Sequence, residues 1–184
     1  MAARRDTKGM FAAEVEEMME TLPLSRVRVA DLCWQCDVER RVFYYHFRDK
    51  YDLVAWIFER DYLSASDGVV PYTEELFAEA YRRLWSRRDF YLQAFRYDPN
   101  NKVERYIVQF GIEVNEEALR FHLGMDGLSS EATYAARHFA YGNIGCLIEW
   151  LDGQIEATPE QLAAQVFSCM PSDLREAYAE MGEA

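Results

Sequence analysis

Hydrophobic positions recur with a helical period along most of the chain. Near the amino terminus, apolar residues lie three or four positions apart at Phe11, Val15, Met18 and Leu22. Residues at this spacing share one face of a helix, and the glutamates between them suit its solvent-facing side. The pattern therefore predicts a first helix over about residues 6–21, ended by Pro23.

The stretch 29–53 predicts two short helices that cross at a tight turn, Cys36-Asp37-Val38. We expect its apolar side chains to share a small core: Val29, Leu32, Cys33, Val38, Val42 and Phe47. The other side chains around the second helix are expected to project outward: Glu39, Arg40, Arg41, Tyr44, Tyr45 and His46. A helix presented in this way fits the major groove of DNA.

The same periodicity predicts further helices over the rest of the chain. Their expected ranges are 50–64, 72–86, 88–97, 101–123, 130–152, 159–168 and 172–181. Asp49 is expected to cap the first of them. Capping boxes at Asn101-x-x-Glu104 and Thr158-Pro159-Glu160-Gln161 support two of the other starts. No alternating pattern reaches strand length, so the sequence predicts an all-α fold.

The charge of the chain is unevenly distributed. The formal net charge is −12 over 184 residues, which by itself argues against binding to the phosphates of nucleic acid. Residues 1–60, however, hold 10 Lys and Arg against 11 Asp and Glu, whereas residues 61–184 hold 10 against 21. Within 26–50 the balance is 6 basic to 4 acidic residues. The acidic excess therefore belongs to the part of the chain that follows the predicted helix-turn-helix.

The residues of 29–53 resemble the DNA-reading segment of the TetR family of transcriptional regulators. That family shows a hydrophobic helix, an Ala-Gly-Val turn, a recognition helix ending in Phe/Leu-Tyr-x-His/Tyr-Phe, and an acidic or Ser/Asn-Lys pair opening the next helix. Here VFYYHFRDKYDL matches nearly throughout. The resemblance implies phosphate contacts by Tyr44, His46 and Lys50. It implies contacts to bases or nearby backbone by Glu39, Arg40, Arg41 and Tyr45.

Four positions depart from the family pattern. Arg28 stands where Thr usually precedes the first helix of the motif, and Asp37 replaces the turn Gly. Glu39 replaces the Ser that opens the recognition helix, and Val42 replaces its Thr. Asp tolerates a left-handed turn better than most residues, so the fold is expected to survive. Arg28 is predicted to contact DNA with the others, and Glu39 and Val42 alter the reading surface.

The chain is expected to divide into a helix-turn-helix DNA-binding domain, 1–48, and a larger helical domain, 49–184, for effector binding and dimerisation. A connecting helix over 49–65 joins them, and turn residues at Ser66-Asp67-Gly68 and Pro71 mark its end. Residues 1–5 are expected to form an arm, whose Arg4 and Arg5 either reach DNA or belong to a disordered tail.

The second informative stretch is 132–153. Nearly every position between Arg137 and Glu149 is apolar or small, which predicts a helix buried on more than one face. Gly142 and Gly145 each cost about 1 kcal/mol relative to Ala in a helix interior, which close packing against another backbone offsets. Those glycines pack either against a second subunit or inside one subunit.

With the TPEQLAAQVF segment that follows, this helix resembles the last two long helices of TetR-type domains, which pair across a two-fold axis as a four-helix bundle. The resemblance implies a homodimer. Its predicted interface residues are Phe139, Gly142, Gly145, Cys146, Trp150, Leu162 and Val166.

Aromatic residues are frequent in the middle helices, and most of them are expected to be core. By resemblance to the TetR family, the space among these helices is also where a small effector binds. Such pockets are mostly apolar with a few polar groups. The predicted lining residues are Trp85, Phe90, Tyr106, Gln109, Phe110, Glu113 and His122.

Other chemistry has little support in the sequence. Cys33-x-x-Cys36 has zinc or redox spacing, but no second pair follows and both cysteines fall where the family packs alanines, so core packing is the preferred interpretation. The three histidines have no partner at ligand spacing. No catalytic, cofactor, signal or membrane-spanning pattern appears. We expect a cytoplasmic protein that is not an enzyme and holds no metal or cofactor.

The sequence is compatible with three classes of function. A DNA-binding regulator accounts for the helix-turn-helix pattern, the charge distribution and the small-residue helix together. An interaction protein that keeps the fold but has lost or altered operator binding is the alternative, motivated by Asp37, Glu39 and the acidic total; an enzyme is third. The preferred mechanism is repression at a near-palindromic double-stranded operator by a homodimer, relieved when a small-molecule effector changes the separation of its recognition helices.

Overall fold

The computed structural model describes residues 6–66, 68, 70, 72–124 and 127–183. Within these residues the chain is all-α, and none of them lies in a β-strand. The helices in this part of the chain are α1 (Thr7–Thr21), α2 (Val29–Gln35), α3 (Arg40–His46), α4 (Lys50–Leu63), α5 (Glu74–Ser86), α6 (Arg88–Arg96), α7 (Lys102–Leu123), α8 (Ser130–Asp152), α9 (Pro159–Cys169) and α10 (Ser172–Glu183). The predicted arm residues Arg4 and Arg5, and Asp67 and Pro71 of the predicted boundary, lie outside the described residues.

Short-range capping bonds set several helix ends close to their predicted positions. The carboxylate of Asp6 accepts a hydrogen bond from the Gly9 amide at the start of α1, and Asp49 accepts from the amides of Tyr51 and Asp52 at the start of α4. At α9 the predicted capping box is present, with Thr158 as its first residue. Each bond satisfies a donor that the first helical turn leaves unpaired.

The prediction of a capping box at Asn101 is wrong. Asn101 has a left-handed backbone, with φ of 50°, whereas a capping residue adopts an extended conformation. The first turn of α7 is instead capped by Asp98, whose buried carboxylate accepts from the Val103 amide at 2.6 Å. The cap therefore comes from the preceding turn.

The chain forms two compact units. The first runs to Ile57 and also takes in Asp89–Tyr106, while the second comprises Phe58–Arg88 and the residues from Ile107 onward. The amino-terminal unit thus includes the first half of α4, nearly all of α6 and the first turn of α7, of which the last two are far away in sequence. The functional division at residue 48 stays a prediction.

The core of the amino-terminal unit is built around three phenylalanine rings. Phe43 is fully buried and its ring centroid lies 5.2 Å from that of Phe11 and 5.6 Å from that of Phe47. Leu32 and Cys33 are buried in the same unit, as predicted. The predicted core residues Val29, Val38 and Val42 are less buried, because each of them is only half-buried. The inner side of α3 is instead occupied by Phe43, which the sequence pattern left unassigned to the core.

The carboxy-terminal unit has an aromatic core. The fully or almost fully buried rings of Phe77, Tyr81, Trp150 and Tyr178 lie at its centre. Phe77 makes an edge contact with Tyr81 and is tilted against Tyr178, with centroids 6.0 and 6.1 Å away. Rings of this size bury large apolar areas, and these geometries add stabilisation of about 0.5–1.5 kcal/mol per pair.

Candidate nucleic-acid interface and internal cavity

The α2–α3 segment is a helix-turn-helix whose second helix has one side anchored and one side open. Asp37 in the turn has a φ of 52°, which confirms the expected left-handed conformation. Phe43 holds α3 against the core. On the other side, Tyr44 and Tyr45 are 50% and 84% exposed, and Arg40 and Arg41 are also exposed. These side chains share an open surface next to the turn.

Ion pairs and a ring contact organise that surface. The Arg41 guanidinium lies 3.0 Å from the Glu39 carboxylate, and both side chains are exposed. Glu39 is the residue before α3, yet its side chain makes no capping hydrogen bond. Arg40 lies over the Tyr44 ring, 5.9 Å from its centroid, and donates to its hydroxyl at 3.4 Å. The acidic residue at Glu39 thus partly neutralises Arg41, although an exposed pair of this kind contributes little to stability.

Lys50 is held by the backbone that precedes α2. Its ammonium donates to the carbonyls of Ser25 and Val27 at 2.9 and 2.7 Å. Burial lowers the pKa of Lys50, against the opposing effect of the Asp49 and Asp98 carboxylates. The predicted phosphate-binding lysine therefore also ties the start of α4 to the helix-turn-helix.

The two other predicted DNA-binding residues have different surroundings. Arg28, the residue before α2, is exposed and forms an ion pair with Asp31 at 3.3 Å. His46 is half-buried at the end of α3, where its ring packs edge-on against Tyr45 with centroids 4.9 Å apart. His46 is therefore less accessible than Tyr44 or Tyr45.

An open cleft of about 440 Å³ lies beside these residues, within the amino-terminal unit. Its ionisable and aromatic lining comprises Arg28, Arg40, Tyr44, Asp49, Lys50, Tyr51 and Lys102. Lys102, from the first turn of α7, lies 2.7 Å from the Asp49 carboxylate. Burial raises the pKa of Asp49, but hydrogen bonds from Lys102 and from backbone amides outweigh it and leave the pKa lowered. Sequence reasoning missed Lys102, because no local pattern links residues so far apart.

A small cavity lies within the carboxy-terminal unit. Its volume is about 40 Å³ and its wall is largely aromatic and aliphatic, with a few polar side chains. Tyr178 donates to Asn115 at 3.0 Å, and Asn115 donates to the Ala136 carbonyl at 3.1 Å. Tyr81 donates to Asn143 at 3.4 Å. Burial raises the pKa of both tyrosines, so the polar part of the wall is neutral at physiological pH.

Only Phe110 of the seven predicted pocket residues lines this cavity. Gln109 and Glu113, on the exposed side of α7, bond to each other at 2.8 Å. Tyr106 belongs to the amino-terminal unit, where the Arg48 guanidinium lies 5.6 Å from its ring centroid. The predicted pocket residues therefore do not coincide with this cavity, because helical spacing identifies a stripe but not the direction that the stripe faces.

The remaining predicted pocket residues also lie elsewhere. Trp85 is 41% exposed and stacks at a tilt on Trp150, with centroids 4.6 Å apart. Phe90 is half-buried beside Tyr91 in the amino-terminal unit. His122 is directed toward α10, where its Nδ1 lies 3.0 Å from the Glu180 carboxylate. The polar groups that do line the cavity come from helices α4, α5, α7, α8 and α10.

The outer face of α8 has exposed aromatic and small residues. Tyr134 and Tyr141 are 69% and 60% exposed. Among the described residues outside the backbone of α8 itself, a Cβ atom added at Gly142 or Gly145 meets no atom within 4 Å. The prediction that α8 is buried on several faces is therefore wrong within one chain, and so is the alternative that its glycines pack inside the subunit.

An apolar groove of about 270 Å³ runs along this face between α8 and α9. Five predicted interface residues line it: Phe139, Gly142, Cys146, Leu162 and Val166. Gly145 does not line the groove, although there is also open space where its Cβ atom would lie.

Trp150 does not belong to that surface. Its side chain is 1% exposed, and its indole N–H donates to the Ala157 carbonyl at 2.8 Å. Its ring packs against Tyr81 and Trp85 of α5. Trp150 is thus a core residue of its own chain, because it lies on the side of α8 that faces α5.

The four cysteines are free thiols. Cys33 and Cys36 are buried in the amino-terminal unit, in agreement with core packing, and burial raises the pKa of Cys33. Among the described residues, no cluster of three His, Cys, Asp or Glu side chains is arranged to hold a metal ion. In the same part of the chain, no helix is long and apolar enough to cross a membrane.

Comparisons with known proteins agree with the architecture. A TetR family model described as "Transcriptional regulator C-terminal region" matches residues 73–172. Among solved structures, the dihydroxyacetone kinase operon activator DhaS is similar over 93% of this chain and 97% of its own, with a TM-score of 0.58 and 19% identity. At that identity the likeness shows the fold alone.

Two further solved structures are similar at lower scores. RolR without ligand matches over 93% of this chain and 96% of its own, with a TM-score of 0.49 and 14% identity. A tetR-family transcriptional regulator from Streptomyces coelicolor matches over 96% and 88%, with a TM-score of 0.48 and 12% identity. No curated protein matches the sequence.

Proposed function

Because the chain belongs to the TetR family of transcriptional regulators, we propose that it is a homodimeric repressor that binds a near-palindromic operator and is released by a small-molecule effector. The observation that carries the proposal is the exposure of side chains on the outer side of α3. There, Arg40, Arg41, Tyr44 and Tyr45 are exposed while Phe43 fixes the helix to the core. A short helix held rigidly with its donors outward is what major-groove reading requires.

Phosphate contacts complete the DNA-binding surface. Tyr44 and Lys50 line the cleft beside α3, together with Arg28. Contacts of this kind fix the orientation of a recognition helix without reading sequence, and they are strongly dependent on salt. The local basic balance of 26–50 supports such contacts despite the net charge of −12.

A second copy of the chain is the proposed occupant of the α8–α9 groove. One helix-turn-helix has a small contact area, so tight binding to a near-palindrome needs two modules about 34–36 Å apart. The groove is apolar, and the open space beside Gly142 and Gly145 allows a partner helix to approach closely. An isologous contact of α8 and α9 with the same helices of a second copy forms a four-helix bundle.

The proposed effector is an uncharged molecule that binds in the cavity of the carboxy-terminal unit. No cationic or anionic side chain lines this cavity among the described residues, and its polar groups are amides and protonated tyrosine hydroxyls. A charged ligand would lose its hydration without gaining a counter-charge. At about 40 Å³ the cavity holds little more than water, so an effector must displace side chains. The ligand then binds only the state in which these side chains have moved. It shifts the protein toward that state, which in this proposal binds DNA poorly.

The effector proposal predicts a specific result for Tyr178→Phe. Loss of the hydroxyl leaves Asn115 without one of its bonds, and we expect a cost of about 1–3 kcal/mol in stability. The substitution should also weaken the thermal stabilisation and the DNA release produced by neutral hydrogen-bonding aromatic compounds. Tyr97→Phe is the control, because Tyr97 is an exposed tyrosine of the amino-terminal unit. A panel in which only charged compounds stabilise the protein and release DNA would contradict the assignment.

One observation favours a second function, that of an interaction protein which has lost operator binding. Glu39 forms an ion pair with Arg41 at the start of α3, and an anionic side chain there repels phosphate. Selection from a random pool of duplexes separates the two functions. The repressor enriches a near-palindromic sequence, whereas an interaction protein enriches none, and Glu39→Gln restores enrichment if the ion pair is the cause.

Arg41→Gln tests the reading of bases. If Arg41 makes a bidentate guanine contact, we expect this change to remove about 1–3 kcal/mol of discrimination at one position in each half-site. Fluorescence anisotropy with the selected operator and its single-base variants measures that loss. Arg120→Gln is the matched control, because Arg120 is an exposed arginine of the carboxy-terminal unit, paired with Glu116. Equal preferences in wild type and Arg41→Gln would exclude a base contact by Arg41.

A further inference from the structure

The cleft beside α3 contains a cation that the helix-turn-helix does not supply. Arg28, Arg40 and Lys50 reach it from 28–50, whereas Lys102 reaches it from the first turn of α7. Asp49 is the one carboxylate among the lining residues. Cations from separate parts of the chain thus face one open space.

Local interactions hold Lys102 in this position. Asp98 caps the start of α7 by accepting from the Val103 amide, which orients the first turn. The Lys102 ammonium then lies 2.7 Å from Asp49 Oδ2 and 5.3 Å from the centroid of the Tyr51 ring. Asp49 is itself fixed, because its other oxygen accepts from two backbone amides of α4.

The ion pair leaves Lys102 with capacity for another anion. An ammonium group has three donors, and the contact with Asp49 uses one of them. The side chain remains 35% exposed. A phosphate in the cleft would therefore meet Lys102 donors without breaking the existing pair.

We infer that Lys102 is a DNA-backbone contact that extends the phosphate-binding surface beyond the helix-turn-helix. The inference rests on the proposed operator binding. It assigns a DNA contact to a helix whose later residues, Phe110 and Asn115 among them, line the cavity of the other unit. The role of Asp49 is to position the lysine and to cap α4 at the same time.

A purely structural role for Lys102 is the competing explanation, and two substitutions separate the roles. Lys102→Gln removes the cation, whereas Asp49→Asn removes the carboxylate charge but keeps a good capping residue. Both changes break the ion pair. Only the first removes the proposed phosphate contact, and Arg105→Gln serves as a control for loss of a cation on the same helix, because Arg105 is exposed and does not line the cleft.

The experiment measures binding of the intact protein to its selected operator and to an unrelated duplex across a salt series. Lys102→Gln is expected to weaken both complexes alike. It should also flatten the plot of log affinity against log salt by about 0.9 for each phosphate that the protein no longer neutralises, or roughly 2 per dimer. Asp49→Asn is expected to bind as tightly as wild type or more tightly, with no flatter slope. Arg105→Gln is expected to keep the wild-type slope.

The outcomes distinguish a failure of this inference from a failure of the proposed function on which it rests. If the wild-type chain binds no duplex, the proposed function fails and the inference fails with it. If wild type binds but Lys102→Gln keeps its slope, only the Lys102 contact is overturned. Equal losses of affinity and melting temperature in Lys102→Gln and Asp49→Asn would likewise overturn it, because they show that the pair acts only on the fold.

Discussion

Gly142→Leu is expected to convert the protein into a folded monomer whose operator affinity is lower by about 10²–10⁴-fold, since two linked DNA-binding modules become two independent ones. The reason lies in the surroundings of Gly142. A Cβ atom there meets nothing within 4 Å in the described part of its own chain, but a leucine side chain would fill the α8–α9 groove that a second copy is proposed to occupy. Leu also favours helix over Gly by roughly 0.5–1 kcal/mol, so the monomer should not lose helical content.

Light scattering and circular dichroism check the assembly state and the helical content, and anisotropy with the selected operator checks the affinity. Ala179→Leu is a suitable control, because it adds bulk at an exposed position of α10 outside the groove. A wild-type chain that is monomeric at micromolar concentration would show the interface to be wrongly placed. So would a Gly142→Leu protein that remains a dimer with normal affinity.

Trp150→Ala is expected to reduce the free energy of unfolding by about 3–5 kcal/mol, the usual effect of truncating a large buried aromatic side chain. Trp150 fills the space between α8 and α5. Its removal also leaves the Ala157 carbonyl without its donor. The loss should come from the core of one chain and should not depend on protein concentration.

Urea denaturation in the Gly142→Leu background measures this effect without a contribution from dimerisation. Tyr141→Ala is the control, because Tyr141 is a large aromatic residue of the same helix that is 60% exposed. Equal stability of Trp150→Ala and Tyr141→Ala would exclude the core assignment. If Trp150→Ala in the otherwise wild-type dimer instead yields stable monomers, the residue belongs to the interface.

Helix ends were predictable where the deciding contacts are short in sequence. The capping residues Asp6, Asp49 and Thr158 bond to amides two or three positions ahead of them. Such bonds form in any chain that begins a helix at that point, so residue types alone identify them. Asn101 shows the limit, because its side chain matches the pattern but the turn from Asp98 places a different carboxylate at the first turn of α7.

The exposed face of α3 was predictable for a related reason. Its exposed residues lie on one seven-residue helix and in the turn before it, where the helical period assigns neighbouring side chains to opposite sides. Phe43 was the exception. It stands within an aromatic run that has no polar break before His46, and only the rings of Phe11 and Phe47 show which of those aromatics points inward.

The cavity could not be located from the sequence. Helix α7 carries apolar and aromatic residues on more than one side. Periodicity therefore left open which of them, Tyr106 or Phe110, lines the cavity of the carboxy-terminal unit. Helix α8 posed the same problem for Trp150 and Gly142, which lie on its inner and outer sides. The answer depends on where the other helices pack, which is not a local property of either helix.

By itself, the sequence determined the all-α architecture, most helix ends and the exposed face of α3, because helical period and capping act between residues within about one turn. Only the tertiary structure decided which tyrosines and asparagines surround the cavity, and that Trp150 is core while Gly142 lies open. It alone brought Lys102 to Asp49. These outcomes arise from packing between segments far apart in the chain, and a helix with apolar residues on several sides allows more than one packed arrangement until its neighbours select one.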